Sequence, residues 1–183
     1  MIAGTTSMTG SGSINGNVGT SGALTLTGSR TINGNTEYGD SFSGNSSHVT
    51  GTATQNTNSS YWNDLYSDIK NVSDAANSTT ADQSLSGISG TTTLSSADGS
   101  VFDISGNINL TGSNTLTLSG SATDEFIINV TGDVSLKGSS AIILAGGLTA
   151  DHVLFNVGGD FSATGSSASF AGTFLLANGI FQW

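Results

Sequence analysis

The sequence predicts an all-β fold, a solenoid of short stacked strands with one α-helix packed alongside. Three observations lead there. A motif recurs at intervals of 26 and 27 residues, apolar residues alternate at period two inside it, and one segment replaces that alternation with a helical stripe.

The motif reads VFDISGNINLTGSN from Val101, IINVTGDVSLKGSS from Ile127 and LFNVGGDFSATGSS from Leu154. In register, Gly106, Gly132 and Gly159 align, as do Asn107, Asp133 and Asp160, and Gly112, Gly138 and Gly165. Self-similarity at a fixed period is the mark of a repeat architecture. Within the first copy, Phe102, Ile104, Ile108 and Leu110 share one face, while Asp103, Asn107, Asn109 and Thr111 share the other. That alternation means strands. The Gly-Asn or Gly-Asp pair between them reads as a corner, with glycine supplying a positive φ. A second repeat, SINGN at Ser13 and TINGN at Thr31, lies 18 residues apart, and LTLTG at Leu24 is echoed by LTLSG at Leu116.

The helical segment is YWNDLYSDIKNVSDAAN. Trp62, Leu65, Tyr66, Ile69, Val72 and Ala76 recur at steps of three and four, which predicts a helix over about 61–77. Ser60 is its expected N-cap, and Asp64 suits the positive end of the helix dipole. The helix is read as an insertion at about 58–80 in a single domain spanning 1–183. Its expected docking strand is AIILAGG, where Ala141, Ile143 and Ala145 make the outward parity apolar as well as the inward one. Apolar residues on both faces imply cover on both faces.

Composition narrows the function classes. The net charge is −10 with three basic residues, Arg30, Lys70 and Lys137, too few and too scattered to displace counterions from nucleic acid. Anionic membrane surfaces are disfavoured for the same reason, and no apolar run reaches the length of a membrane span. Absence of cysteine removes disulfides, thiolate metal sites and a cysteine nucleophile. His48 and His152 have no Ser nucleophile motif beside them, and the acids are spread along the chain, so no active site and no enzyme is expected.

Three candidate sites remain. Asn33, Asn35, Glu37 and Asp40 offer oxygen ligands for calcium, with solvated turn residues as the alternative reading. Stacked Asp133 and Asp160 would repel unless solvated or bridged by metal. Ice recognition needs a flat, uncharged face of small residues. Lys137, in the column Thr111/Lys137/Thr164, argues against that side, so a side carrying Thr25, Thr27, Thr115 and Thr117 is the candidate. The apolar tail Phe174, Leu176, Ile180, Phe181 and Trp183 is either a final core strand or a segment donated to a neighbour.

Taken together, SINGNVGTSGALTLTGSRTINGN, the helix after Tyr61, VFDISG with INVTGD, and HVLFNVGGDFSATGSSASFAGTFLLANG resemble two related extracellular families. One is the ice-binding-like β-solenoid family of cold-adapted microbes; the other is the choice-of-anchor A family of adhesive surface domains. The resemblance implies a right-handed, three-sided solenoid, secreted or at the cell surface. Two departures stand out: no proline in the stretch from Gly19 to Leu24, and no continuation far past Phe174 to Ala177. The main expectation is a non-catalytic structural or adhesive module binding an extracellular surface or glycan and assembling end to end into a filament or layer. The alternative expectation is an ice-binding protein with a Thr/Ser-rich flat face. Beyond the calcium candidate, no cofactor is expected.

Overall fold

The computed structural model describes residues 2–164 and 168–182. Every strand pair in it is parallel. Coil-to-coil partners separated by 17 to 27 residues are what a solenoid produces. Successive strands of one repeat, Val101–Ile104, Ile108–Leu110 and Thr115–Ser119, go to three different sheets. The first lies in a five-stranded sheet, ordered Gln83–Leu85, Val101–Ile104, Phe126–Val130, Val153–Val157, Thr173–Leu176. The third lies in a three-stranded sheet, Thr92–Ser95, Thr115–Ser119, Ala141–Ala145. The earlier coils add a four-stranded sheet, Ile2–Ala3, Val18–Thr20, Thr36–Tyr38, Ala53–Gln55, and a pair, Ser11–Asn15 with Ser29–Asn33.

The remaining sheet has seven strands and contains the junction of the molecule. Its order is Ile108–Leu110, Val134–Leu136, Phe161–Ala163, Phe181–Gln182, Thr6–Met8, Leu24–Leu26, Phe42–Ser43. The last strand of the chain therefore pairs with an early one, Thr6 opposite Phe181 and Ser7 opposite Gln182. The block built from 2–56 stacks onto the end of the block built from 82–182, and the chain's two ends meet inside the stack. The expectation of a tail donated to a neighbour is corrected here. Phe174 stacks on Phe155 with ring centroids 4.7 Å apart, and Phe181 stacks on Phe161 at 4.8 Å. Leu176 and Phe181 are buried, and only Ile180 is substantially exposed. Trp183 lies outside the described residues. The outer edge of Phe181–Gln182, which the sequence leaves open, is closed by Thr6–Met8 of the same chain.

The repeat sets the core. Phe102, Ile104, Ile108 and Leu110 and their counterparts one and two coils on are buried in one cluster with Leu116 and Leu118; Met8, Val18, Leu24, Leu26, Ile32 and Val49 form a second, and Ile14 packs against both. At the corners the glycines do something other than expected. Gly106, Gly132 and Gly159 do not adopt positive φ. A Cβ on Gly132 would sit 1.9 Å from Asn107 Oδ1, and one on Gly159 2.2 Å from Asp133 Oδ1. The space belongs to a ladder: Asn107 Oδ1 accepts from the Asp133 amide at 2.9 Å, Asp133 Oδ1 from the Asp160 amide at 2.8 Å, and Asp160 Oδ1 from the Ile180 amide at 2.9 Å. Each side chain satisfies a backbone donor of the next coil, an otherwise unpaired group at a bend. The stacked aspartates are exposed to solvent, as the solvated alternative expects, and they also have backbone amides between them.

The same device has a consequence for acid stability. The Val101 and Ser100 amides donate to Asp82 Oδ2 at 2.9 and 2.8 Å, and they hold this carboxyl below the usual carboxylate range; Asp124 and Asp151 are lowered by similar hydrogen bonds, from the Ser121 amide and the Thr149 hydroxyl. A group with a depressed folded-state pKa stabilises the fold above its unfolded value and loses that contribution as pH falls through the folded value. The melting temperature should therefore decline as pH drops below the ordinary value of 3.8. Asp82→Asn keeps an acceptor oxygen without the charge, so its melting temperature should depend less on pH below that ordinary value. Identical slopes for variant and parent would show that Asp82 contributes nothing to the effect.

The helix, α1, spans Ser59–Ser78. Its cap is Asn58 rather than Ser60: Asn58 Oδ1 accepts from the Ser60 and Tyr61 amides. Its buried stripe is Trp62, Ile69, Ser73 and Ala76, narrower than the sequence suggests, with Tyr66 and Val72 about half exposed. Its docking surface is also different. α1 lies on the five-stranded sheet against Phe126–Val130 and Val153–Val157, not on Ala141–Ala145, where Ile143 is 41% exposed. A buried polar network runs beside this apolar stripe. Asn156 Nδ2 donates to Ser73 O, Asn77 Oδ1 and Asn129 Oδ1, Ser73 Oγ donates to Asn156 Oδ1, and Asn129 Nδ2 donates to Ala76 O and Asp103 Oδ1. At its start, Tyr61 donates to Glu37, and further on Tyr66 donates to Asn178. At ~1.5 Å rise per residue the helix is about 30 Å long, and these bonds tie it to both coil blocks.

Candidate functional site

The seven-stranded sheet is the longest uninterrupted array in the molecule. Its inward residues, Ile108, Val134, Phe161, Phe181, Thr6, Leu24 and Phe42, face the core, all but Phe42 fully buried. Alternation then sends the middle residue of each strand outward. Register fixes that outward row: Asn109, Ser135, Ser162, Gln182, Ser7, Thr25, Ser43. Neighbouring strands sit ~4.8 Å apart, so seven rows extend over roughly 29 Å. All seven side chains are uncharged and five are hydroxyls. Ser162 Oγ donates to Ser135 Oγ at 3.3 Å, a direct hydroxyl ladder between coils.

Lys137 does not interrupt this row. It follows Leu136, with its amide on Leu110 O, in the rim column that also holds Thr111 and Thr164. Thr27 has the equivalent rim place in the other block, its amide on Met8 O. Of the four threonines expected on one side, Thr25 and Thr27 are here. Thr115 and Thr117 are on the three-stranded sheet, in register with Thr91, Thr93 and Ile143. The two LTL strands look alike in sequence but enter different sheets. The structure also unites what the sequence separated, because Asn109, Ser135 and Ser162 share a face with Thr25.

The three-stranded face is uncharged as well, but it is short. Beyond Ala141–Ala145 it continues only through the bridge from Ala141 to Ser169. A cleft of about 570 Å3, lined by Ile14, Ala168, Phe170 and Phe174 among others, separates it from Ser11–Asn15.

The calcium candidates do not converge. Asn33 donates to Asn15 Oδ1, Asn35 Oδ1 accepts from the Thr52 amide, and the Glu37 carboxylate receives Asn56 and Tyr61. Asp40 is exposed in a turn. These residues hold one coil to the next and fasten α1. Among the described residues no cluster of three or more His, Asp or Glu could hold a metal. His48 and His152 are half-buried and lie in separate 3-10 turns, Ser46–His48 and Ala150–His152. Among the described residues no helix is long and apolar enough to cross a membrane.

The fold is thus a parallel solenoid that carries a long row of uncharged polar side chains on one sheet. The chain belongs to the ice-binding-like family, whose profile matches residues 2–182. In three dimensions it is similar to an ice-binding protein from an Antarctic bacterium of the Flavobacteriaceae, with a TM-score of 0.69 and 18% identity over 99% of this chain and 44% of the other. This chain thus spans less than half the length of that protein. It is similar to an ice-binding protein from an Antarctic biological consortium, at a TM-score of 0.63 and 19% identity over 99% of this chain and 82% of that one. An ice-binding protein from an Arctic yeast gives a TM-score of 0.60 and 16% identity over 98% of this chain and 88% of its own. At these identities the likeness shows the fold. No match was found among curated proteins.

Proposed function

We propose that this is a non-catalytic ice-binding protein that works outside the cell, and that it meets ice through the outer row of the seven-stranded sheet. Ice binding is favoured over an adhesive module building filaments. Family membership favours ice, and the tail that was to join copies is spent inside its own chain. The reading takes the solenoid as right-handed and three-sided, with α1 covering one side and the seven-stranded side left open.

The observation that carries it is continuous register across seven strands. Ice presents a periodic array of water oxygens, so affinity accumulates only where the protein repeats at a fixed interval over many rows. Ser and Thr have short side chains, and Thr is stiff at χ1, so little rotamer freedom is lost on contact. Charged groups hold their own hydration tightly and fit such a lattice poorly; the row has none.

Thermal hysteresis and ice-crystal shaping test the proposal. The parent should shape crystals into facets. Thr25→Tyr places a ring above the row and lifts the flanking rows from the surface, so activity should fall at least about tenfold, equivalent to ~1.4 kcal/mol. Thr117→Tyr, on the three-stranded face, should leave activity unchanged. If Thr117→Tyr is the damaging change, the ice face is the three-stranded one. Round discs and no hysteresis from the parent would end the ice reading.

A further inference from the structure

The outer row of the seven-stranded sheet is not uniform. Its fourth and central member is Gln182, exposed between Ser162 on one side and Ser7 on the other. We infer that Gln182 divides this face into two three-row patches, Asn109/Ser135/Ser162 and Ser7/Thr25/Ser43, and that it is the residue limiting how much ice the face can match. This rests on the ice-binding reading above and goes beyond it by assigning the limit to one side chain.

The position of Gln182 is fixed from below. Phe181, its neighbour in the two-residue strand Phe181–Gln182, is buried and stacks parallel to Phe161 with rings 4.8 Å apart. With Phe181 anchored inward, the pleat sends Gln182 outward. The strand cannot tilt to lower it, because it is paired on both edges, to Phe161–Ser162 and to Thr6–Ser7.

Chemistry explains why this matters. A serine or threonine hydroxyl stands one carbon from the backbone. A glutamine carboxamide stands three carbons out, on a chain with three rotatable bonds, and carries two donors and one acceptor. Beside ice it must either be ordered at high conformational cost or leave a raised gap. Either outcome breaks the row at its centre, where continuity between the two coil blocks is otherwise complete. The break coincides with the junction of those blocks, which is also the shortest strand pairing in the sheet's middle.

Gln182→Thr restores a hydroxyl and a methyl at the fourth row, and threonine suits a strand at least as well as glutamine. Thermal hysteresis of the full chain at equal concentration should rise at least about threefold as two patches become one, since a preformed surface loses less on binding. Gln182→Ser should rise in the same direction. Ser162→Gln widens the break to two rows and should lower activity. Circular dichroism melts accompany each variant; if Gln182→Thr melts below the parent, Gln182→Ser and Ser162→Gln decide. A parent that shapes ice, with Gln182→Thr and Gln182→Ser folded and no more active than it, overturns the inference and leaves the ice reading standing. Loss of activity in neither Ser162→Gln nor Thr25→Tyr would overturn it too. A parent and Gln182→Thr both giving round discs overturn the ice reading and this inference with it.

Discussion

Phe161→Ala is expected to cost about 3–5 kcal/mol of folding stability, as full burial of a large aromatic implies. Phe161 has no exposed surface. It stacks on Phe181 at 4.8 Å and 3°, and it meets Phe170 and Phe174 edge-on, each at 4.8 Å. Its strand carries the junction, since Phe181 pairs with Phe161 on one side and Thr6 on the other. Truncation should therefore do more than leave a cavity. It removes the platform that holds Phe181 inward and so loosens the strand-paired seam between the chain's early and late coils. For a chain of this length, each kcal/mol moves the melting point by ~2–4 °C, so the midpoint should fall by roughly 10 °C. Phe102→Ala is the comparison, because Phe102 is equally buried and stacks on Phe126 away from the seam. Amide exchange should accelerate at Thr6–Met8 and Phe181–Gln182 in Phe161→Ala and not in Phe102→Ala. Equal exchange at the seam in both variants, or a loss under about 1 kcal/mol, would remove Phe161 from this role.

That seam marks the boundary of what the sequence could tell. The 26- and 27-residue repeat is visible as register: Val101 pairs with Ile127 and Ile127 with Leu154, and the 18-residue repeat pairs Ile14 with Ile32. Stacking like on like is local in the sense that each coil meets the next along the chain. The junction of Thr6–Met8 with Phe181–Gln182 obeys no period, because its two strands share no motif and come from opposite ends. A fourth, degenerate copy follows the third, Thr173 pairing with Leu154 and Phe181 with Phe161, and it carries too little of the motif to be recognised from sequence.

The candidate face was half legible for a related reason. Alternation shows which residues of a strand point outward, but not which sheet the strand joins. Thr25 and Thr117 sit in nearly identical words and end on different faces. Conversely, the columns that looked unpromising because of Lys137 lie on the same sheet as Thr25, with the lysine at the rim. The glycine corners were located correctly and explained wrongly: what excludes a Cβ at Gly132 is the Asn107 side chain from the coil before, an effect between coils that no single segment displays.

The helix was found by its stripe and placed on the wrong sheet, because apolar exposure was taken as the sign of cover. The actual cover is over Asn129 and Asn156, whose signal is the column Asp103/Asn129/Asn156, a polar side chain repeated on the outward face of otherwise apolar strands. This network yields the other large expected effect. Asn156, 3% exposed, donates to Ser73 O, Asn77 Oδ1 and Asn129 Oδ1 and accepts from Ser73 Oγ. Asn156→Leu fills much of the volume but leaves the buried groups of Ser73 and Asn129 without this partner, at ~1–3 kcal/mol for each group left unsatisfied, while water can serve the exposed Asn77. Some will find one another, so a total near 3 kcal/mol is expected. Asn156→Asp should be worse, because it sets a carboxylate against three acceptor oxygens in a site with almost no water. Lys70→Ala removes only an exposed pair with Asp74 at 2.9 Å, with both side chains more than half exposed. Such i,i+4 pairs contribute ~0.3–0.5 kcal/mol. Denaturant unfolding followed at 222 nm should rank the variants Asn156→Asp, Asn156→Leu, Lys70→Ala from most to least damaging. If Asn156→Leu falls within about 0.5 kcal/mol of the parent, the helix is held by its Trp62, Ile69 and Ala76 stripe, and the amide network is incidental to its docking.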